Sequence, residues 1–230
     1  MQIEYISGIG KRETNQDIIY IDKLDSGASF FLIADGMGGY EKGDEAATII
    51  SESIFTFLNY AEKIDENAIQ KAIQKANLAI KQFNTKNNIK SGATIGGIII
   101  ENNNSHLFWV GDVMIFQIRE WNILFQSKSH TLINSLKESN NITDTKSIEK
   151  YRHVVTRSIS GKPSESTIGY SLNSCFNKDL FIICSDGVHD TISIEKLIFM
   201  LKEGKSLKVI EQQLEKEAQD NYSLIILQTD

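Results

Sequence analysis

Three apolar runs in this chain each end on an aspartate beside a glycine, and a fourth aspartate comes just before the last apolar run. The first three aspartates are Asp35, Asp112 and Asp186, and the fourth, Asp220, precedes the run 222–227. Near-continuous runs of Phe, Ile, Leu and Val are typical of strands covered on both faces, where an ionised carboxylate needs water, hydrogen bonds or a cation. Four such strand ends on one rim would form a site of hard oxygen ligands, which suits Mg²⁺ or Mn²⁺ better than Zn²⁺.

The length and the net charge of the chain indicate how many domains it has and which partners it does not bind. At 230 residues, with no stretch rich in Pro, Gly or Ser that could divide it, the sequence predicts a single domain over residues 1–230. The net charge of −6 argues against a nucleic-acid binder, which needs clustered Lys and Arg. The N-terminus lacks a secretory pattern, and no run approaches the ~18 apolar residues of a membrane span. We therefore expect a soluble, cytoplasmic chain with no nucleic-acid or membrane partner.

Strand-like and helix-like periodicities alternate along the chain. Helical spacing from Glu45, and again after the N-cap candidate Asp65, predicts one pair of amphipathic helices, and a second pair is predicted between 194 and 218. Apolar clusters predict strands at 2–9, 17–22, 28–34, 92–100, 105–110, 113–119, 122–126, 167–172, 179–185 and 222–228. The four strands between 92 and 126 have short connections, which indicates an antiparallel meander. Strand groups interleaved with helix pairs predict an α+β fold in layers.

A polar stretch from about 130 to 157 interrupts this pattern. Asn140, Asn141 and Asp144 break any regular periodicity within it. Such a segment between two groups of strands is typical of a surface loop that carries function. We predict a flap over about 130–157, mobile and with one short helix.

The turn after the third strand has the composition of a binding site. Three glycines lie within residues 36–39, directly after Asp35, and they allow backbone carbonyls to approach a ligand closely. A plain tight turn is the alternative for this segment alone. If the strands lie side by side, Asp35, Asp186 and Asp220 can share two cations, with Asp35 bridging them. Two such ions would hold a hydroxide between them for in-line attack on phosphorus.

Six short motifs resemble, in order and spacing, those of the metal-dependent Ser/Thr protein phosphatases, the PPM or type 2C family, in its compact bacterial form. The resemblance spans nearly the whole sequence. The first two motifs are specific as a pair, and the shorter ones gain meaning from their order. The motifs are Gly-Lys-Arg-Glu-Thr-Asn-Gln-Asp at 10–17, Ala-Asp-Gly-Met-Gly-Gly at 34–39, Gly-Ala-Thr at 92–94, Val-Gly-Asp at 110–112, Ser-Asp-Gly at 185–187 and Asp-Asn at 220–221.

The resemblance implies a four-layer αββα sandwich, in which two antiparallel sheets are flanked by pairs of helices and hold a binuclear Mn²⁺/Mg²⁺ centre at one end. It implies that Asp35 bridges the two ions and that the Gly36 carbonyl binds one of them. Asp186 and Asp220 would bind the other, and Asp17 would orient metal-bound waters from behind.

Two further roles are implied by the same motifs. Arg12 would hold the substrate phosphate, which its planar fork of donors suits. Asp112 would bind a third, weaker ion together with Asp186. The chain departs from the family there, because Val113 and Met114 replace the usual Ser-Arg after Gly-Asp. The resemblance thus implies a catalytic set of Arg12, Asp17, Asp35 and Asp186, and a metal-site set of Asp17, Asp35, Gly36, Asp112, Asp186 and Asp220.

The function that these features predict is hydrolysis of phosphoserine or phosphothreonine on a protein, opposing a Ser/Thr kinase, by a monomeric enzyme. A catalytically weak or silent phosphatase-like module that binds phosphoproteins or regulatory partners is the first alternative, which Val113 and Met114 leave open. A phosphatase of small phosphorylated metabolites is the second, and it would differ only in the pocket and the flap.

Overall fold

Two five-stranded antiparallel sheets lie at the centre of the protein. The structure, a computed structural model, describes residues 1–37, 42–138, 151 and 154–230. Within these residues the strands are β1 (Gln2–Gly8), β2 (Asp17–Lys23), β3 (Ser29–Gly36), β4 (Ala93–Glu101), β5 (Asn104–Val110), β6 (Met114–Arg119), β7 (Asn122–Gln126), β8 (Gly169–Ser174), β9 (Leu180–Cys184) and β10 (Tyr222–Gln228). The helices are α1 (Gly43–Asn59), α2 (Glu66–Asn87), α3 (Leu132–Glu138), α4 (Asp186–His189), α5 (Ile194–Lys202) and α6 (Leu207–Glu217), with a 3₁₀ turn at Pro163–Glu165.

The layers follow from the two-residue period of the strands. One sheet has the order β1-β10-β9-β6-β7 and the other β2-β3-β4-β5-β8. In β3, Phe30 and Leu32 pack against α1 and α2, whereas Phe31 and Ile33 face the other sheet. On the far side, α5 and α6 cover the first sheet with residues such as Leu197. The predicted α+β fold with αββα layers is confirmed.

The predicted meander is wrong in one respect. β4 and β5 pair in one sheet, and β6 and β7 pair in the other. Between β5 and β6 the chain crosses from one sheet to the other through Gly111, which has a φ of +104°. A short polar connection is also typical of a hairpin, so the local sequence did not distinguish a hairpin from a crossover.

Most other helices and strands lie where the sequence predicts them. Asp65 caps α2, accepting a hydrogen bond from the backbone N–H of Ala68 at 2.8 Å. Asn102 and Asn103 turn the chain between β4 and β5 with positive φ, as asparagine tolerates. The short helix α3 lies in the predicted flap, of which residues 139–150 and 152–153 are outside the described residues. No helix in the described part of the chain is long and apolar enough to cross a membrane.

A buried ion pair closes the end of the sandwich where β9 begins. Asp179 is fully buried and accepts two hydrogen bonds from Arg119, at 2.6 and 2.8 Å. It also accepts hydrogen bonds from the Gln117 side chain and from the backbone N–H of Phe176, both at 3.0 Å. Burial alone would raise the pKa of Asp179, but these donors outweigh it and hold that pKa below its ordinary value.

We expect Asp179→Ala to lower the free energy of unfolding by about 3 kcal/mol, because removing one partner leaves several donors unpaired. Urea denaturation at neutral pH measures the loss, with the exposed Asp25→Ala as a matched control. Since the pKa is depressed in the folded state, the stabilisation by Asp179 should be present above its ordinary pKa of about 4 and should disappear as the pH falls below it. Equal stability of the two variants would show that this pair contributes nothing.

Candidate active site

The directions of the strands bring the four aspartates to one edge of the sandwich. β3 and β5 run in the same direction because each pairs antiparallel with β4, so both end at the same edge. β10 begins where β9 ends, because those two strands also pair antiparallel. One sheet thereby supplies Asp35 and Asp112, and the other supplies Asp186 and Asp220.

The four aspartates line a single cavity of about 730 Å³, together with Arg12 and Gly36. The expectation that their strands lie side by side is wrong, because β3 belongs to one sheet and β9 and β10 to the other. The carboxylates instead meet across the gap between the two sheets. Asp35 follows Phe31 and Ile33 at the strand period of two, so it points away from the helices and toward this gap.

Asp17 lies behind the cavity. It pairs with Asp35 in the β2–β3 ladder and is only 5% exposed. The Ser185 hydroxyl accepts a hydrogen bond from the backbone N–H of Ser223 at 2.9 Å, so its own proton is donated to Asp17 Oδ2 at 2.8 Å. Asp17 Oδ1 is buried without a hydrogen-bond partner in the described residues. Ser185 thus fixes the orientation of Asp17 and leaves its second oxygen available to the site.

Arg12 is paired with Asp220. Its Nε donates to Oδ1 at 2.7 Å and its Nη2 donates to Oδ2 at 2.5 Å, which is a bidentate arrangement. The hydrogen bond to Asp220 is the main reason that the pKa of Arg12 is raised. No three acidic, histidine or cysteine side chains of the described ranges are close enough together to enclose a cation as they stand.

The side chain of Asn221 holds the loop that carries Arg12. Its Nδ2 donates to the carbonyls of Ile9 and Thr14, at 2.9 and 2.8 Å, and its Oδ1 accepts from the backbone N–H of Gln16 at 3.0 Å. A Cβ at Gly187 would lie 2.1 Å from the Asn221 carbonyl oxygen, so only glycine fits there. The Ser-Asp-Gly and Asp-Asn motifs therefore pack directly against each other.

The carboxylates raise one another's pKa. Burial raises the pKa of Asp35 well above its ordinary value, and the negative charges of Asp17 and Asp186 raise it further. Burial also raises the pKa of Asp186, to about 7, with Asp112 and Asp220 adding to the rise. Buried carboxylates that repel each other in this way are the environment that a divalent cation stabilises. The donor set is all oxygen, so it fits Mg²⁺ or Mn²⁺.

Asp112 has a histidine nearby, as Asp186 also does. Burial raises the pKa of Asp112, and the electrostatic attraction of the nearby His189 in α4 offsets part of that rise. The two residues that depart from the family pattern lie in the core: Val113 packs between the sheets and Met114 packs beneath α5 and α6. Neither lines the cavity. No local sequence pattern indicates that His189 lies near this aspartate.

Gly36 is required by the close packing of the backbone. A Cβ there would lie 2.6 Å from the Gln16 carbonyl oxygen and 2.7 Å from that of Gly43. The Gly36 N–H donates to the Gln16 carbonyl at 3.1 Å, which joins the turn after β3 to the loop before β2. The next two glycines of the motif, Gly38 and Gly39, lie outside the described residues.

Part of the predicted flap also lines the cavity. Val154 and Val155 face it, and Val155 forms a β-bridge with Thr131 that brings the two ends of the flap together. His130 Nδ1 accepts a hydrogen bond from the backbone N–H of Gly111 at 3.1 Å. The flap is thereby connected to the residue that precedes Asp112.

A family model described as Protein phosphatase 2C matches residues 7–222. The chain belongs to the protein phosphatase 2C family. Protein phosphatase PhpP of Streptococcus pneumoniae is 26% identical to this family member over 206 residues, which cover 84% of this chain and 81% of PhpP. Serine/threonine protein phosphatase PstP of Mycobacterium tuberculosis is 24% identical over 223 residues, which cover 94% of this chain but 42% of PstP.

Solved structures share the fold of this phosphatase 2C chain. The serine/threonine phosphatase of S. agalactiae superposes with a TM-score of 0.87 at 22% sequence identity, over 100% of this chain and 99% of that one. The catalytic domain of PstP in complex with two manganese ions superposes with a TM-score of 0.81 at 22% identity, over 100% and 98% of the two chains. At these identities the likeness is one of fold.

Proposed function

We propose that this protein phosphatase 2C chain hydrolyses phosphoserine and phosphothreonine monoesters on proteins, with Mn²⁺ or Mg²⁺ as cofactor. One observation carries the proposal: four aspartates from two different sheets line the same cavity as an arginine whose side chain is about half exposed. Such a site offers both charges that phosphate chemistry needs, since carboxylates hold cations and a guanidinium holds a phosphate.

The residues that would hold the cations are those at the ends of the strands. Asp35 would bridge two ions, the Gly36 carbonyl would bind one, and Asp186 and Asp220 would bind the other, with a third site at Asp112 and Asp186. When bound, such ions neutralise the carboxylates and lower the pKa of a water so that it can attack phosphorus. Asp17, oriented by the Ser185 hydroxyl, would accept a hydrogen bond through its second oxygen and so align that water.

Arg12 would exchange one anionic partner for another. In the structure its fork is occupied by Asp220, a carboxylate that is also a proposed metal ligand. If Asp220 held a cation, the Arg12 guanidinium would be free at the edge of the cavity, where its planar fork could hold two oxygens of a phosphate. The same exchange would therefore complete the metal site and prepare the phosphate site.

Protonation of the leaving alcohol would be left to water. Met37 lines the cavity, and its thioether has no proton to donate. For partners we propose phosphoproteins made by an opposing Ser/Thr kinase, and we propose that the enzyme acts as a monomer.

The proposal is tested by phosphate release from p-nitrophenyl phosphate and from phosphothreonine peptides, with and without added Mn²⁺ or Mg²⁺. We expect hydrolysis that requires the cation and stops on chelation, and a higher kcat/KM for the peptides than for small phosphorylated metabolites. Tight phosphopeptide binding without any hydrolysis would instead support a catalytically silent module. A preference for metabolites would reject the protein substrate.

A further inference from the structure

The cavity extends well beyond the four aspartates. Part of its lining contains no proposed metal ligand and comes from α2, from the segment after it and from the 158–168 loop, and we call this part the outer half. Its residues are Asn84, Lys90, Ser91, Ser160, Lys162 and Glu165. A cavity of this volume is about 10 Å across, which an extended polypeptide covers in about three residues. A substrate whose phosphate lies among the aspartates therefore places its neighbouring residues in the outer half.

Amide side chains of α2 hold the 158–168 loop in place. Gln70, Asn77 and Asn84 follow one another at intervals of seven residues, so they lie on the same face of the helix. Asn77 Oδ1 accepts from the backbone N–H of Gly161 at 2.8 Å. Gln70 bonds to the backbone of the loop twice, donating at 3.3 Å and accepting at 3.2 Å. This wall of the cavity is thus anchored to a long helix.

The third amide joins the loop to the other side of the cavity. Asn84 accepts from the N–H of Ser91 at 3.0 Å and donates to its carbonyl at 2.8 Å. Ile159 pairs with Ala93, at the start of β4, through two backbone hydrogen bonds of 3.0 and 3.2 Å. The outer half therefore has two walls of fixed geometry, as a specific binding site needs.

The polar groups on these walls are matched to an anion. The Ser160 hydroxyl is buried beside the cavity and has no hydrogen-bond partner in the described ranges. Lys90 is exposed and forms no ion pair within the part of the chain that the structure describes. Lys162 is the second cation, and it shares its charge with Glu165 at 3.0 Å. In a chain with a net charge of −6, this positive region lines the same cavity as the carboxylates.

We infer that the outer half of the cavity is a subsite for an acidic residue that flanks the phosphorylated residue of the substrate. Lys90 pairs with the flanking carboxylate, and the Ser160 hydroxyl donates a hydrogen bond to it. This inference rests on the proposed function. It specifies the substrate class as acidic phosphopeptides, selected by residues outside the metal site.

The test compares two phosphothreonine peptides that differ only at the three residues on each side of the phosphothreonine, which are glutamate in one and glutamine in the other. We expect the wild-type enzyme to favour the glutamate peptide about fivefold in kcat/KM, as one partly exposed ion pair permits. In Lys90→Glu the ratio should fall below one. Lys86→Glu makes the same change of charge four residues away, outside the cavity lining, and should keep the wild-type ratio.

Two outcomes overturn the subsite. The first is that the wild-type enzyme does not distinguish the two peptides. The second is that Lys86→Glu loses the preference as much as Lys90→Glu does, which would show that the preference depends only on the overall charge of the protein. Fluorescence anisotropy of both labelled peptides measures the preference as binding, so the subsite is tested even without turnover. Absence of p-nitrophenyl phosphate hydrolysis by the wild-type protein would count against the proposed function and leave the binding result to decide the subsite.

Discussion

Asp35→Asn is expected to reduce manganese-dependent hydrolysis by about a thousandfold or more, while the metal-free protein becomes more stable. The amide keeps the shape of the side chain but removes the charge proposed to bridge two cations. It also removes a buried negative charge that lies close to the charges of Asp17 and Asp186, which together with burial raise the pKa of Asp35. Melting curves in the presence of chelator should rise by about 2–4 °C for each kcal/mol of repulsion removed.

The gain in stability from Asp35→Asn should depend on pH in a defined direction. The pKa of Asp35 is raised in the folded protein, so its ionisation costs stability only above its ordinary pKa of about 4. Below that pH the two proteins should melt alike, and the difference should grow as the pH rises. Asp25→Asn, at an exposed turn, is the matched control. A parallel loss of activity and melting temperature in Asp35→Asn would mark Asp35 as a structural residue.

Arg12→Ala is expected to raise KM for phosphorylated substrates by about ten- to a hundredfold, with a smaller effect on kcat, because a bidentate phosphate contact is lost. Affinity for Mn²⁺, measured by calorimetry, should not fall, since Asp220 is released from its arginine. Metal-free Arg12→Ala should melt at a lower temperature, because the cluster loses its paired cation. This is the opposite of the change expected for Asp35→Asn.

Two further variants make the Arg12 experiment specific. Arg12→Lys keeps the charge but not the planar fork, so it should recover only part of the affinity for substrate. Lys11→Ala removes a neighbouring charge in the same loop and should leave KM unchanged. An Arg12→Ala enzyme with normal KM and weakened Mn²⁺ binding would show that Arg12 acts through Asp220 and does not hold phosphate.

Sequence patterns predicted the elements of this fold better than their arrangement. The closing strand at 222–228 and the cap at Asp65 depend on neighbouring residues alone, and both are confirmed. Which sheet a strand joins depends on distant pairing, and strands covered on both faces have the same composition in either sheet. For that reason the local sequence predicts a meander turn at Gly111 where the chain crosses between sheets, and the αββα order of the layers came only from the family resemblance.

In the candidate site, too, the sequence predicted the features that have a local signal and missed those that depend on distant residues. The aspartates were found because each one interrupts an apolar run, which is a local signal. The bond from Ser185 to Asp17 joins residues 168 positions apart and has no local signal. The two-residue period of the strand is a partial local signal. Ser185 comes two residues after Ile183, so it faces the other sheet as Ile183 does. The pairing of Arg12 with Asp220 had no such signal.

The position of β1 has a consequence for how the enzyme is made. This strand is at the edge of its sheet and pairs there with β10 alone, so it has no partner in the sheet until β10, far later in the chain, has been synthesised. Arg12 and Asp220, 208 residues apart, are separated by the same delay. A nascent chain therefore carries the proposed phosphate-binding arginine long before Asp220 is added, and the proposed site can assemble only after β10 has been synthesised.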